Sequence, residues 1–212
     1  KMSRLIVTNI ETQNIKFDSD TTAFTISSTG ATSGVGAGAM VKLLDVSNIS
    51  SVATYDIDST YINSTYDSYM FIGNFLPATD GQTLYLRTFV GGTINTSAHH
   101  GREGQRLGGA YSSGGFNSNS TSSFAQFNTA GAGNADGEGV QVHGTVMNVN
   151  NTSFPCTCTV HTNFAYTDAA PNASIGAGMY LPAQRATVIN GLRFFFGSGD
   201  IASGTLKLYG IK

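Results

Sequence analysis

The sequence predicts an all-β protein, and within that class a jelly-roll-like β-sandwich with an extended N-terminal arm. Apolar residues occur in short runs separated by turn-forming residues, and no stretch shows the 3.6-residue period of a helix. Glycine is abundant, with 26 residues, which is common in turn-rich β-proteins. The 212 residues are enough for one sizeable hydrophobic core.

Strands are predicted where β-branched and aromatic residues cluster between turn signals. The stronger candidates are residues 40–46, 52–57, 68–76, 83–90, 139–149, 156–165, 188–196 and 204–211. The weaker candidates are residues 5–10, 23–27, 110–116 and 123–128. This many strands around a single core favour a jelly-roll-like arrangement, and the lack of a repeat with a fixed period argues against a solenoid or a propeller.

Two of these strands are predicted to be buried on both faces, because residues 69–72 and 192–196 are almost continuous apolar runs. Tight turns are predicted at Asp80-Gly81 and at Gly199-Asp200, since glycine adopts the positive φ that such turns require. Residues 95–110 and 131–137 are long, polar and glycine-rich connections. Long connections inside a compact domain usually have a function, such as ligand binding, or pack on a partner protein.

The N-terminal segment differs from the rest of the chain. Residues 1–33 are predicted to form the arm, residues 34–212 the β-sandwich head, and the glycine-rich run 34–38 has the composition of a hinge. Short, weak strands cannot bury a core alone, so we expect the arm to pair with another chain or to lie on the sandwich. The alternative is an ordinary first hairpin of the same domain.

Charge is scarce: only 11% of residues are charged, against roughly 25% in an ordinary soluble domain. Low charge favours a protein that works in an ordered multimer, the alternative being a monomer that is merely rich in Gly, Ser and Asn. The net charge of −2 without a Lys/Arg block argues against nucleic-acid binding. With no apolar run near 20 residues and no leader pattern, we expect neither membrane insertion nor a secretory signal.

Titratable side chains that could support catalysis or metal binding are few, so we expect no enzymatic activity, no cofactor and no metal. Cys156 and Cys158 are predicted to be free thiols, because residues i and i+2 of a strand lie too far apart for comfortable disulfide geometry. A zinc site is disfavoured because His161 would point to the opposite face of the strand.

The candidate contact residues for a receptor or partner lie in the long connections. They are His99, His100, Arg102, Tyr111, Phe116, Asp136 and Glu138. The His99–His100 pair beside Arg102 resembles an acid–base or metal site, but a solvated loop explains it better. Asp136 and Glu138 resemble a glycosidase carboxylate pair, but a turn at Gly137 explains them better. Tyr111, Phe116 and Tyr166 are candidates for stacking on a sugar.

Three stretches of the sequence carry motifs that resemble those of one known protein family. The first comprises residues 3–14 and 24–27, and the second comprises residues 66–71, 76–81 and 84–88. The third, residues 189–196 and 199–211, is the most specific. Together these stretches resemble the bacteriophage tail-fibre, virion-fibre or decoration proteins, especially those of marine phages. They reach both ends of the chain, whereas residues 91–145 match no pattern of the family.

The resemblance implies a virion structural protein that is made in the host cytoplasm and exposed on the particle. It implies a homotrimer whose arm docks on other virion proteins and whose head attaches to a host surface glycan or protein. A capsid or tail decoration protein without receptor binding is the first alternative. A carbohydrate-active enzyme is the second.

Overall fold

The computed structural model describes residues 14–16, 22–26, 32–33, 40–107, 114–166 and 171–212. The chain divides into two compact units, Lys1–Val41 and Lys42–Lys212. The predicted strand at residues 5–10 and the predicted hinge at residues 34–38 lie outside the described residues.

The N-terminal unit contains a small antiparallel sheet. Its strands are β1 (Asn14–Lys16), β2 (Thr22–Ile26) and β3 (Thr32–Ser33), with β2 in the centre. Thr22–Ile26 coincides with the weak strand predicted at residues 23–27. This part of the chain therefore forms β-structure within its own unit.

The second unit is built from two sheets. The first of its strands, β4, begins at Met40. Its strands are β4 (Met40–Val52), β5 (Tyr55–Ile57), β6 (Ser68–Pro77), β7 (Leu84–Val90), β8 (Thr93–Ile94), β9 (His100–Leu107), β10 (Gly115–Thr121), β11 (Ala125–Gln126), β12 (Val140–Met147), β13 (Thr157–Ala165), β14 (Pro171–Tyr180), β15 (Gly191–Phe196) and β16 (Ile201–Ile211). The large sheet has the order β10-β9-β14-β13-β12-β6-β16-β4. The small sheet has the order β11-β7-β15-β5, with β8 paired to β7.

The two sheets pack face to face through aromatic side chains. Phe194 of the small sheet stacks on Phe75 of the large sheet and meets Phe71 edge-on, both at 5.3 Å between ring centroids. All three rings are buried, and burying one such side chain contributes about 1.5–3 kcal/mol. The all-β prediction is confirmed and the arrangement is that of a sandwich, while the jelly-roll connectivity stays a prediction.

The prediction that two strands are buried on both faces is wrong. Along β6, buried residues alternate with more exposed ones, and Ile72 is 42% exposed. Along β15, Arg193 and Phe195 are half-buried between the buried Leu192, Phe194 and Phe196. Both strands therefore face the core on one side only, and their outward apolar side chains contact solvent.

Two of the longer strands were not predicted, and neither were the short strands β1, β3 and β8. Residues 95–110 were expected to be a loop, but β9 occupies His100–Leu107, and no strand was expected at Pro171–Tyr180, where β14 lies. Their inward residues are mostly small or polar rather than apolar. The reason is close packing: a Cβ on Gly176 would lie 3.1 Å from the carbonyl oxygen of Gln126 in β11. Small residues are needed there, so the usual apolar signal is missing.

The predicted tight turns are confirmed by their backbone angles. Gly81 has a φ of 74° and Gly199 a φ of 72°, both in the left-handed region that glycine tolerates. The single helical turn of the described residues is a 3₁₀ turn at Pro182–Gln184. Within the described ranges, no helix has the length and apolar character needed to cross a membrane.

Candidate functional site

The structure places the predicted contact residues in two separate groups. His99, His100, Arg102 and Phe116 belong to the β9–β10 hairpin at one edge of the large sheet. Asp136 and Glu138 lie in the turn before β12, and β14 and β13 separate β12 from β9. Three inter-strand spacings amount to roughly 14 Å, so the two groups do not form one site. Tyr111 lies outside the described residues.

His100 is a core residue, so its expected position in a solvated loop is wrong. Its side chain is fully buried, packs 4.4 Å from Tyr180 and 5.5 Å from Phe124 between ring centroids, and donates a hydrogen bond from Nδ1 to the carbonyl of Thr121 at 2.9 Å. Nε2 is buried without a partner. Burial lowers the pKa of His100, since the charged imidazolium is poorly solvated there.

His99 has a different environment and does not share a site with His100. It is half-buried, and its backbone carbonyl accepts a hydrogen bond from Leu181 at 2.8 Å. Among the described residues, no three His, Cys, Asp or Glu side chains lie close enough together to hold a metal ion. Cys156 and Cys158 are both buried and free.

Phe116 packs on its own sheet. It pairs with Gly104 of β9, and its ring occupies the space that a Cβ on Gly104 would take. An aromatic ring over a cross-strand glycine protects the exposed backbone at that position. Phe116 therefore stabilises the hairpin, which itself borders a groove of about 620 Å³ across β10, β9 and β14.

Asp136 and Glu138 border a groove of about 430 Å³ together with the ends of β6, β12 and β16. Glu138 Oε2 accepts a hydrogen bond from the backbone N–H of Ala135 at 2.7 Å, so this carboxylate closes its own turn. Gly137 between the two carboxylates has a φ of 85°. The geometry agrees with the turn interpretation of these residues.

Arg102 contributes to a cluster that sequence reasoning did not find. On the small sheet, Tyr85 and Phe195 are directly opposite each other, face away from the core and stack at 5.6 Å between ring centroids. The guanidinium of Arg102 lies 5.0 Å from the Tyr85 ring, and that of Arg87 lies 4.5 Å from the Phe195 ring. We call Arg102, Tyr85, Phe195 and Arg87 the arginine–aromatic cluster.

Within the part of the chain that the structure describes, the cations of this cluster have no acidic partner. Arg102 Nε, Arg102 Nη1 and Arg87 Nε are buried without a hydrogen-bond partner. Burial, and to a smaller extent the nearby charge of Arg193, lowers the pKa of Arg87. The neighbouring carboxylate of Asp56 is occupied, because Arg193 binds it with two hydrogen bonds of 2.7 and 2.6 Å.

A second surface feature is the outward face of the large sheet. The neighbouring strands β14, β13, β12 and β6 contain no Asp, Glu, Lys or Arg at all. Four large apolar side chains of these strands are among the most exposed, namely Ile72, Met147, Ile175 and Met179. His143 and His161 stand side by side in the middle, with 6.3 Å between ring centroids. We call this surface the uncharged face.

The described residues thus define an all-β protein with a two-sheet sandwich and a small separate N-terminal sheet. Comparisons of the chain with protein families, with curated proteins and with solved structures give no match.

Proposed function

We propose that this protein is a bacteriophage virion structural protein whose sandwich is a tail-fibre or receptor-binding head, acting by adhesion rather than by catalysis. The uncharged face carries the proposal. Freely diffusing proteins keep charge spread over their surface, whereas four adjacent strands here present none. Exposed apolar residues on such a face are typical of a surface that another subunit covers.

The partner we propose for the uncharged face is a second copy of the same chain, in a homotrimer. Around a threefold axis each subunit contacts its neighbour through two different parts of its surface, and a broad uncharged face can supply both parts without like-charge repulsion. The N-terminal unit would then dock on other virion proteins, as the resemblance of residues 3–14 implies. Several heads on one particle would turn weak host contacts into firm attachment.

The assembly part of this proposal is tested by placing a charge on the uncharged face. Ile72→Glu puts a carboxylate opposite Lys207 of β16, so the isolated chain should not be destabilised. Val188→Glu is the matched control, because Val188 is 41% exposed against 42% for Ile72 and lies outside the strands. We expect light scattering to show trimers for the wild type and for Val188→Glu, and monomers for Ile72→Glu. A monomeric wild type at micromolar concentration would refute the homotrimer.

The attachment part is tested on phage particles. Particles that lack the protein, or carry a form of it without the sandwich head, should remain intact but adsorb poorly to the host. Normal adsorption of such particles would contradict a receptor-binding role. The assembly and attachment results are independent of each other, so each part of the proposal can fail alone.

The alternative is a decoration protein that cements neighbouring virion subunits, and one observation favours it. Strand β4 is 13 residues long, lies at the edge of the large sheet and buries only Ile49. A long edge strand offers unpaired backbone groups to a neighbouring chain. Particles without the protein would then lose stability against heat while adsorbing normally, which is the opposite of the result expected for a fibre head.

A further inference from the structure

The arginine–aromatic cluster has an uncompensated positive charge. Among the described residues, ion pairs form between Lys42 and Asp45 and between Arg193 and Asp56, and neither Arg87 nor Arg102 takes part in one. Arg87 donates one hydrogen bond, from Nη2 to Ser122 Oγ at 3.3 Å. Burying part of a guanidinium without an anion is costly, and the ring contacts offset only some of that cost.

The geometry of the cluster limits the kind of ligand that would supply the missing charge. The two guanidinium groups lie over different rings of the stacked pair, so a ligand that compensates both charges needs more than one anionic group. A guanidinium matches a planar carboxylate because two parallel N–H groups donate to its two oxygens. Both arginines are only half-buried, so a ligand can reach the terminal nitrogens of each guanidinium that are not enclosed, Nη2 of Arg102 and the Nη groups of Arg87.

We propose that the arginine–aromatic cluster binds an acidic saccharide, with carboxylates of two sugar units accepting hydrogen bonds from Arg102 and Arg87. The overall charge of −2 and the lack of a Lys/Arg block in the sequence disfavour a nucleic acid as the ligand. The proposal rests on the proposed function, because a receptor-binding head supplies the reason for contact with surface glycans.

The test is calorimetric titration of the full chain with trigalacturonic acid, with maltotriose as the neutral sugar and inorganic phosphate as a simple anion. We expect binding of trigalacturonic acid alone. Arg102→Gln should weaken it roughly tenfold or more, since a hydrogen bond to a charged group contributes about that much. Arg185→Gln is the control, because Arg185 is an exposed arginine at the 3₁₀ turn. Equal affinity of the wild type and Arg102→Gln would overturn the proposal.

A second measurement uses the wild-type protein and does not depend on the folding of a variant. The ¹⁵N–¹H signals of the Arg87 and Arg102 Nε groups should shift on addition of trigalacturonic acid and stay in place with maltotriose. Unchanged signals, equal shifts with maltotriose or equal shifts with phosphate would each overturn the acidic-saccharide proposal. If the protein forms trimers and supports adsorption but fails this test, the cluster is structural and the proposed function stands. If it binds the saccharide while particles adsorb normally without it, the proposed function fails alone.

Discussion

The hydroxyl oxygen of Tyr180 lies 2.6 Å from Oγ1 of Thr88, and this contact joins the two sheets inside the core. Both residues are fully buried, and Asn95 Nδ2 donates a further hydrogen bond to the same hydroxyl at 3.0 Å. The Tyr180 and Thr88 side chains have no exposed surface, whereas Asn95 is half-buried. Loss of the Tyr180 hydroxyl therefore leaves the Thr88 hydroxyl without a replacement from solvent.

Tyr180→Phe should lower the free energy of unfolding by about 1–3 kcal/mol, because the hydroxyl of Thr88 and the amide of Asn95 lose their shared partner. Urea denaturation measures the change. Tyr209→Phe is the control, since Tyr209 is a half-buried residue of β16, and its change should stay within about 0.5 kcal/mol. In a double-mutant cycle, Thr88→Val should cost less in the Tyr180→Phe background, and strict additivity would contradict the coupling.

Acid should destabilise the protein partly through His100. Burial, and to a smaller extent the charges of His99 and Arg87, lowers its pKa below the usual 6.5 in the folded state, so the unfolded chain takes up the proton first. The stabilising contribution is thus fully present above about pH 6.5 and is lost as the pH falls through the folded pKa. Urea midpoints at pH 7 and pH 5 should differ less for His100→Gln than for the wild type.

The same dependence in the wild type and in His100→Gln would show that other groups account for acid sensitivity. Comparing the change between two pH values, rather than stability at one, removes the cost of the substitution itself.

The thiols of Cys156 and Cys158 should not react with thiol reagents in the folded protein. Burial raises the pKa of Cys156 and of Cys158, so both stay protonated well above the ordinary value of 9.0. Ellman's reagent at pH 8 should detect no thiol in the native protein and both after unfolding in guanidinium. Rapid reaction of the native protein would contradict the burial.

The same thiols predict a loss of stability in alkali. Because their folded pKa values are raised, the stabilising contribution is present below about pH 9 and is lost as the pH rises through the folded values. Cys158→Ala should flatten the decline of the unfolding free energy between pH 8 and pH 10 relative to the wild type. An identical decline in both proteins would assign it to other groups.

Gly144→Ala should destabilise the sandwich by roughly 1–3 kcal/mol, the usual cost of overpacking. A Cβ at residue 144 would run into the ring of Phe71 on the paired strand and would lie 2.9 Å from the carbonyl oxygen of Thr159. Gly101→Ala is the control, because its nearest atoms would lie at an ordinary 3.8 Å. Thermal unfolding measures both variants, and equal melting temperatures would contradict the contact.

Much of the fold could be predicted from the sequence. Strands β6, β7, β12, β13, β15 and β16 were predicted within a few residues of their ends, since burial against a core leaves a two-residue apolar period or an apolar run. The free thiols were likewise predictable, because the spacing of Cys156 and Cys158 decides their geometry locally. The prediction missed strands whose inward residues are small or polar, above all β14 and β9.

The candidate sites were less predictable. Arg102 was a candidate contact residue because of its charge. Its position over the Tyr85 ring, however, depends on strand β9 lying near the small sheet, with which β9 shares no strand pairing. The uncharged face assembles strands that begin at residues 68, 140, 157 and 171. The sequence by itself therefore determined the strand-forming segments and their turns, which depend on local residue types. Only the tertiary structure decided the strand neighbours, the burial of His100 and the shared surface of distant residues, because those follow from long-range pairing that no local pattern records.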